Sequence, residues 1–67
     1  MLLATKQSEK WVVRDSRIVV TGVYRNGAIS RGRLGKADPW EGDDLGLALD
    51  VAQALRREHP FIGVYRA

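Results

Sequence analysis

Residues 43–65 read DDLGLALDVAQALRREHPFIGVY. This stretch decides the fold, because it carries the one long helical pattern in the chain. Asp43 is placed to cap the helix, its carboxylate accepting from backbone N–H groups two or three residues on. Asp44 then falls in the first turn, at the positive end of the helix dipole. At about 100° per residue, Leu45, Ala48, Leu49, Val51, Ala52 and Leu55 share one broad apolar face. Gly46, Asp50, Gln53 and Arg57 form a polar stripe opposite. Ala48 and Ala52 sit near the centre of the apolar face, where small side chains allow a sheet to approach closely. Arg56 and Arg57 occupy the last turn, where cations suit the dipole. His59-Pro60 stops the helix, since the residue before a proline is driven out of the α region. Phe61–Arg66 follows as a strand rich in aromatic and β-branched residues, expected to join the sheet at an edge.

The strands this helix must cover lie upstream. Leu2–Lys6 reads as a short strand or an arm, followed by a turn at Gln7-Ser8-Glu9. Lys10–Arg14 is a strand, Asp15-Ser16 a turn, and Arg17–Arg25 the clearest strand of all. Asn26-Gly27 provides the positive φ angles of a type I′ turn, which predicts a hairpin between Arg17–Arg25 and Ala28–Leu34. That turn places Arg25 opposite Ala28, Tyr24 opposite Ile29 and Val20 opposite Arg33. A two-residue turn at Asp15-Ser16 would place Trp11 opposite Val20. Alternation then puts Trp11, Val13, Ile18, Val20, Tyr24 and Ile29 on the face toward the helix. Lys10, Val12, Arg14, Arg17, Val19, Thr21, Val23, Arg25 and Ser30 take the outward, basic face. Arg31 and Arg33 fall on the apolar face in this register. Either the strand ends near Ser30, or the register slips at Gly32, or the faces are reversed. The expected fold is a single α+β domain over residues 1–67, an antiparallel sheet of three to four strands packed on one helix.

Gly35–Gly42 is a loop holding Trp40, read either as a cover for the open end of the core or as a partner contact. Gly22-Val23-Tyr24-Arg25 recurs as Gly63-Val64-Tyr65-Arg66, which is too short to define a repeat. Both copies suit a half-buried strand.

Composition narrows the function. A chain of 67 residues buries only about 60% of its unfolded surface, and the absence of cysteine removes disulfides and thiolate metal sites. Met1-Leu2-Leu3-Ala4 is too short for a signal-peptide apolar region, and no run approaches a membrane span. A soluble cytoplasmic protein with no membrane partner is expected. The net charge of +3 is unevenly laid out. Residues 1–37 carry +6, residues 38–50 carry −5 and residues 51–67 carry +2. Catalysis has little to work with. The single histidine, His59, marks a helix stop, and Gly32-Arg33-Leu34-Gly35-Lys36 lacks the spacing and the Ser/Thr of a phosphate-binding loop. Asp38, Glu41, Asp43 and Asp44 do not follow the ligand spacing of an EF-hand. The expectation is a non-enzyme without metal or cofactor.

Two functions compete. The first is a nucleic-acid-binding module, contacting DNA or RNA phosphates from the exposed sheet face through Lys10, Arg14, Arg17 and Arg25, with Arg31 and Arg33 nearby. The second is a small protein-binding regulator, an inhibitor, adaptor or mobile-element accessory protein. It would act through a sheet edge or through the acidic loop, with Trp40, Glu41 and Asp43 meeting a protein partner, or as a homodimer.

Overall fold

The structure is a computed structural model that describes residues 9–67. The strand or arm at Leu2–Lys6, and most of the turn after it, lie outside the described residues. Four strands follow one another with one helix between the last two: β1 Trp11–Arg14, β2 Ile18–Val23, β3 Ile29–Arg33, α1 Leu45–Leu55 and β4 Gly63–Arg66. They form one antiparallel sheet in the order β3-β2-β1-β4. The fold is α+β, as expected, and the C-terminal strand lies at an edge beside β1. The helix begins and ends differently from the expectation. Asp44, not Asp43, is the N-cap, and its carboxylate accepts from the Leu47 N–H at 3.2 Å. The α-helix closes at Leu55, and Arg56 and Arg57 fall in a tighter turn beyond it. In that turn the N–H groups of Glu58 and His59 both reach the Leu55 carbonyl.

The hairpin between β2 and β3 is built on a different turn from the one expected. Gly27 has φ +87°, while among the described residues no non-glycine residue has positive φ, so Asn26 does not make a type I′ turn. The Gly27 N–H instead bonds the Tyr24 carbonyl, and the Tyr24 N–H bonds the Ala28 carbonyl. Arg25-Asn26-Gly27 is therefore a three-residue loop, a type I turn closed by a left-handed glycine. Tyr24 now faces Ala28, and Val23 faces Ile29. A bulge between Val20 and Gly22 shifts the register again, so that Val20 faces Arg31 and Ile18 faces Arg33. The extra residue is Thr21, whose hydroxyl lies 2.8 Å from that of Ser30. Each one-residue slip exchanges the faces of a strand. The two slips leave Ile18 and Val20 on the helix side and swap the next contributor. Val23 packs toward the core, and Tyr24 is 57% exposed.

The core consists of Val13, Val20, Ala48, Val51, Ala52, Leu55 and Ile62, flanked by Trp11, Ile18, Val23, Ile29, Trp40 and Val64. Ala48 and Ala52 are fully buried, and α1 lies over β1 and β4. Arg31 and Arg33 do lie on the helix side, but on the edge strand β3, where both remain exposed. The strand does not stop at Ser30 and the faces are not reversed. The slip falls at Thr21 rather than at Gly32.

The face opposite the helix is not the open basic surface expected. Val12 and Val19 are buried there, at 8% and 2% exposure. The cause is the β1–β2 connection. Asp15 N–H bonds the Ile18 carbonyl across Ser16-Arg17, one residue later than expected, and neither turn residue has positive φ. Turns without positive φ splay the strands they join. β1 and β2 are accordingly paired at Arg14↔Val19 alone. The chain from the β3–α1 loop bridges the gap beyond: the Trp40 N–H bonds the Val20 carbonyl at 2.8 Å, and Gly42 pairs with Trp11. Leu34–Glu41 thus crosses the sheet, with Ala37 seated directly over Gly32. Trp40 is half-buried against the core, which is the covering role considered for it.

The repeated Gly-Val-Tyr-Arg segments acquire a physical meaning here. In each, the valine packs toward the core, and the tyrosine lies back across the glycine two residues earlier. A Cβ on Gly22 would come within 2.7 Å of the Tyr24 hydroxyl, and one on Gly63 within 3.3 Å of the Tyr65 ring.

Candidate nucleic-acid interface

The expected cations do not share one face. Arg14 is half-buried, its guanidinium 4.3 Å from the centre of the Tyr65 ring. Such a stack fixes the side chain along the sheet surface. Lys10 is exposed beside the start of β1, and Arg25 stands at the hairpin tip. Arg31 and Arg33 lie on the helix side of β3, and Arg17 projects from the β1–β2 turn.

The structure groups cations by end rather than by face. β1 ends, β2 begins, β3 ends and α1 ends at the same pole of the molecule. The Arg17 carbonyl accepts from the Leu34 N–H, Arg33 is paired with Ile18, and the Lys36 N–H bonds the Arg33 carbonyl. Arg31 reaches Glu58 beyond the helix at 3.3 Å. His59 Nδ1 lies 4.0 Å from Asp15 Oδ2. The segments that carry Arg17, Arg31, Arg33, Lys36, Arg56 and Arg57 therefore meet at this pole, with two carboxylates among them, Asp15 and Glu58. Asp38 follows as the loop turns away across the sheet.

Both carboxylates are engaged. Asp15 Oδ1 accepts from the Ile18 N–H at 2.8 Å and the Arg17 N–H at 2.6 Å. These two backbone donors hold its carboxyl below the usual aspartate value, against an opposing effect of burial, with smaller help from His59 and the Arg17 charge. Glu58 is paired with Arg31 on the surface, an attraction worth at most about 1 kcal/mol and screened by salt. The same pole holds a cleft of about 410 Å³ lined by Asp15, Ser16, Arg17, Glu58, His59, Pro60 and Phe61.

Lys36, Arg56, Arg57 and Phe61 were not singled out from the sequence as site residues. In the sequence, Arg56 and Arg57 read as helix-end charges, and Phe61 as the start of a strand. The alternative site also changes. Trp40 is committed to the core, Glu41 is exposed at the margin of the loop, and Asp43 stands exposed before the helix. Among the described residues no group of three or more acidic, histidine or cysteine side chains is arranged to hold a metal ion. Within them, no helix is long and apolar enough to cross a membrane.

No family model, curated protein or solved structure matches this chain.

Proposed function

We propose that this chain is a small nucleic-acid-binding module that grips phosphates with its basic pole. The observation carrying this reading is the convergence of Arg17, Arg31, Arg33, Lys36, Arg56 and Arg57 on one end of the fold. They come from four separate segments of the chain. The carboxylates there are already occupied by backbone amides or by Arg31. A clustered positive field attracts a polyanion and releases its counterions on contact. The lack of cysteine fits a cytoplasmic setting.

Titration of labelled single- and double-stranded DNA and RNA by anisotropy tests the reading. With five cations apart from the Arg31 pair, log affinity for a single strand should fall with log salt at a slope of roughly −3 to −4. The Arg17→Glu/Arg33→Glu double variant should flatten the slope by about 1.4 and weaken every sequence alike. No binding by the wild-type chain at low salt would remove the proposal.

A second reading has its own observation. Leu47, Val51 and Ala54 of α1 face Val23, Tyr24 and Ile29 across an apolar groove of about 320 Å³. Leu47 is 42% exposed there, which favours a protein contact or a homodimer. Light scattering on the free chain reports the homodimer directly.

A further inference from the structure

Phe61 is 87% exposed, the most exposed large apolar side chain among the described residues. Its exposure is imposed by its neighbours. The Ile62 N–H bonds the His59 carbonyl at 3.0 Å, closing a turn with Pro60 and Phe61 at its corners. Proline at the first corner fixes that turn. Both flanks are anchored. Upstream, the His59 N–H bonds the Leu55 carbonyl at 2.8 Å, and its ring faces Asp15. Downstream, Ile62 is 3% exposed in the core. With Ile62 turned inward, the Phe61 side chain projects outward beside the cleft that it lines with Arg17 and His59.

Resting on the basic-pole reading, we infer that Phe61 is a stacking platform for an unpaired base, and that the module prefers single-stranded nucleic acid. An aromatic ring exposed beside a cluster of cations is the arrangement by which single strands are held. The ring takes the face of a base, and the cations take the phosphates on either side. Arg17 lines the same cleft, and Arg56 and Arg57 precede Phe61 by five and four residues. A paired base presents no free face to Phe61, so a duplex would gain only the phosphate contacts. Stacking reads no base edge, so little sequence preference follows.

The test compares the wild-type chain with Phe61→Ala and Phe61→Trp, using one labelled single strand and its duplex. Folding of each variant is checked by thermal melting. Phe61→Ala should weaken the single strand by roughly tenfold or more, leave the duplex unchanged and keep the salt slope. Phe61→Trp should restore single-strand affinity. A folded Phe61→Ala chain that binds the single strand as well as wild type overturns the stacking inference and leaves the basic-pole reading standing. So does an equal loss for both ligands, or an effect seen only as a change of oligomer mass in light scattering. Failure of the wild-type chain to bind either ligand at low salt defeats the parent reading as well.

Discussion

Substituting Gly32 by alanine tests whether the β3–α1 loop lies on the sheet. A Cβ at this position would stand 2.6 Å from the Ala37 Cβ. Contact between two methyl carbons needs about 3.5–4.0 Å, so the loop must rise by roughly 1 Å. It cannot do so freely. Lys36 and Ala37 are tied to the Arg33 carbonyl, and Trp40 to the Val20 carbonyl. Overpacking of this kind costs about 1–3 kcal/mol. For a domain of this size, each kilocalorie moves the melting midpoint by roughly 4–8 °C. A midpoint about 10 °C lower is the expected result of thermal denaturation followed by circular dichroism. The reciprocal change Ala37→Gly removes the atom that the new methyl group meets. The double variant Gly32→Ala/Ala37→Gly, which leaves the number of glycines unchanged, should therefore regain most of the loss. A Gly32→Ala midpoint within error of wild type would refute the covered face. So would a double variant no more stable than Gly32→Ala alone.

Three further outcomes follow from the fold. Leu55→Ala, deleting a side chain 4% exposed at the core, should cost about 2–5 kcal/mol and leave little cooperative melting in so small a domain. Gly27→Ala should cost about 1–2 kcal/mol because its φ is +87°, and Gly27→Asn measurably less in the same denaturant titration. Asp15 has a depressed carboxyl in the folded state, so its charge stabilises the fold above the ordinary aspartate range, and that stability declines as pH drops below that range and is lost as it passes the lowered folded value. Asp15→Asn should thus destabilise at neutral pH, and the gap from wild type should close only below the ordinary aspartate range in melts across pH.

Much of this architecture was legible in the chain. The helix, the hairpin and the edge strand each carry a local signal: an apolar stripe with small central residues, Asn-Gly between strands, and proline after a helix. What escaped was set by register. Asn26-Gly27 marks a hairpin turn, yet the dipeptide serves a type I′ turn or a type I turn with a left-handed glycine, and these differ by one residue. The Thr21 bulge leaves no mark in a run of β-branched residues. Together these two slips moved Tyr24 out and Val23 in. The covered face was hidden for a different reason. It depends on a splayed β1–β2 turn that lets Trp40 and Gly42 enter, a tertiary event without a periodic signature. The candidate site shifted for the same cause. Arg17 and Arg33 were identified, but alternation assigned cations to a face, whereas strand and helix ends gather them at a pole. Phe61 was legible only as a β-forming residue, because its outward display depends on the turn closed by His59 and Ile62.

Amide chemical-shift mapping tests most directly where a nucleic acid touches the fold. On titration with a short single strand at low salt, shifts should concentrate at residues 15–18, 31–37 and 56–62. The hairpin tip at 24–28 and the helix start at 43–47 should stay still. Shifts centred on the groove between Val23 and Leu47, or none at all, would contradict the assignment of the basic pole as the working surface.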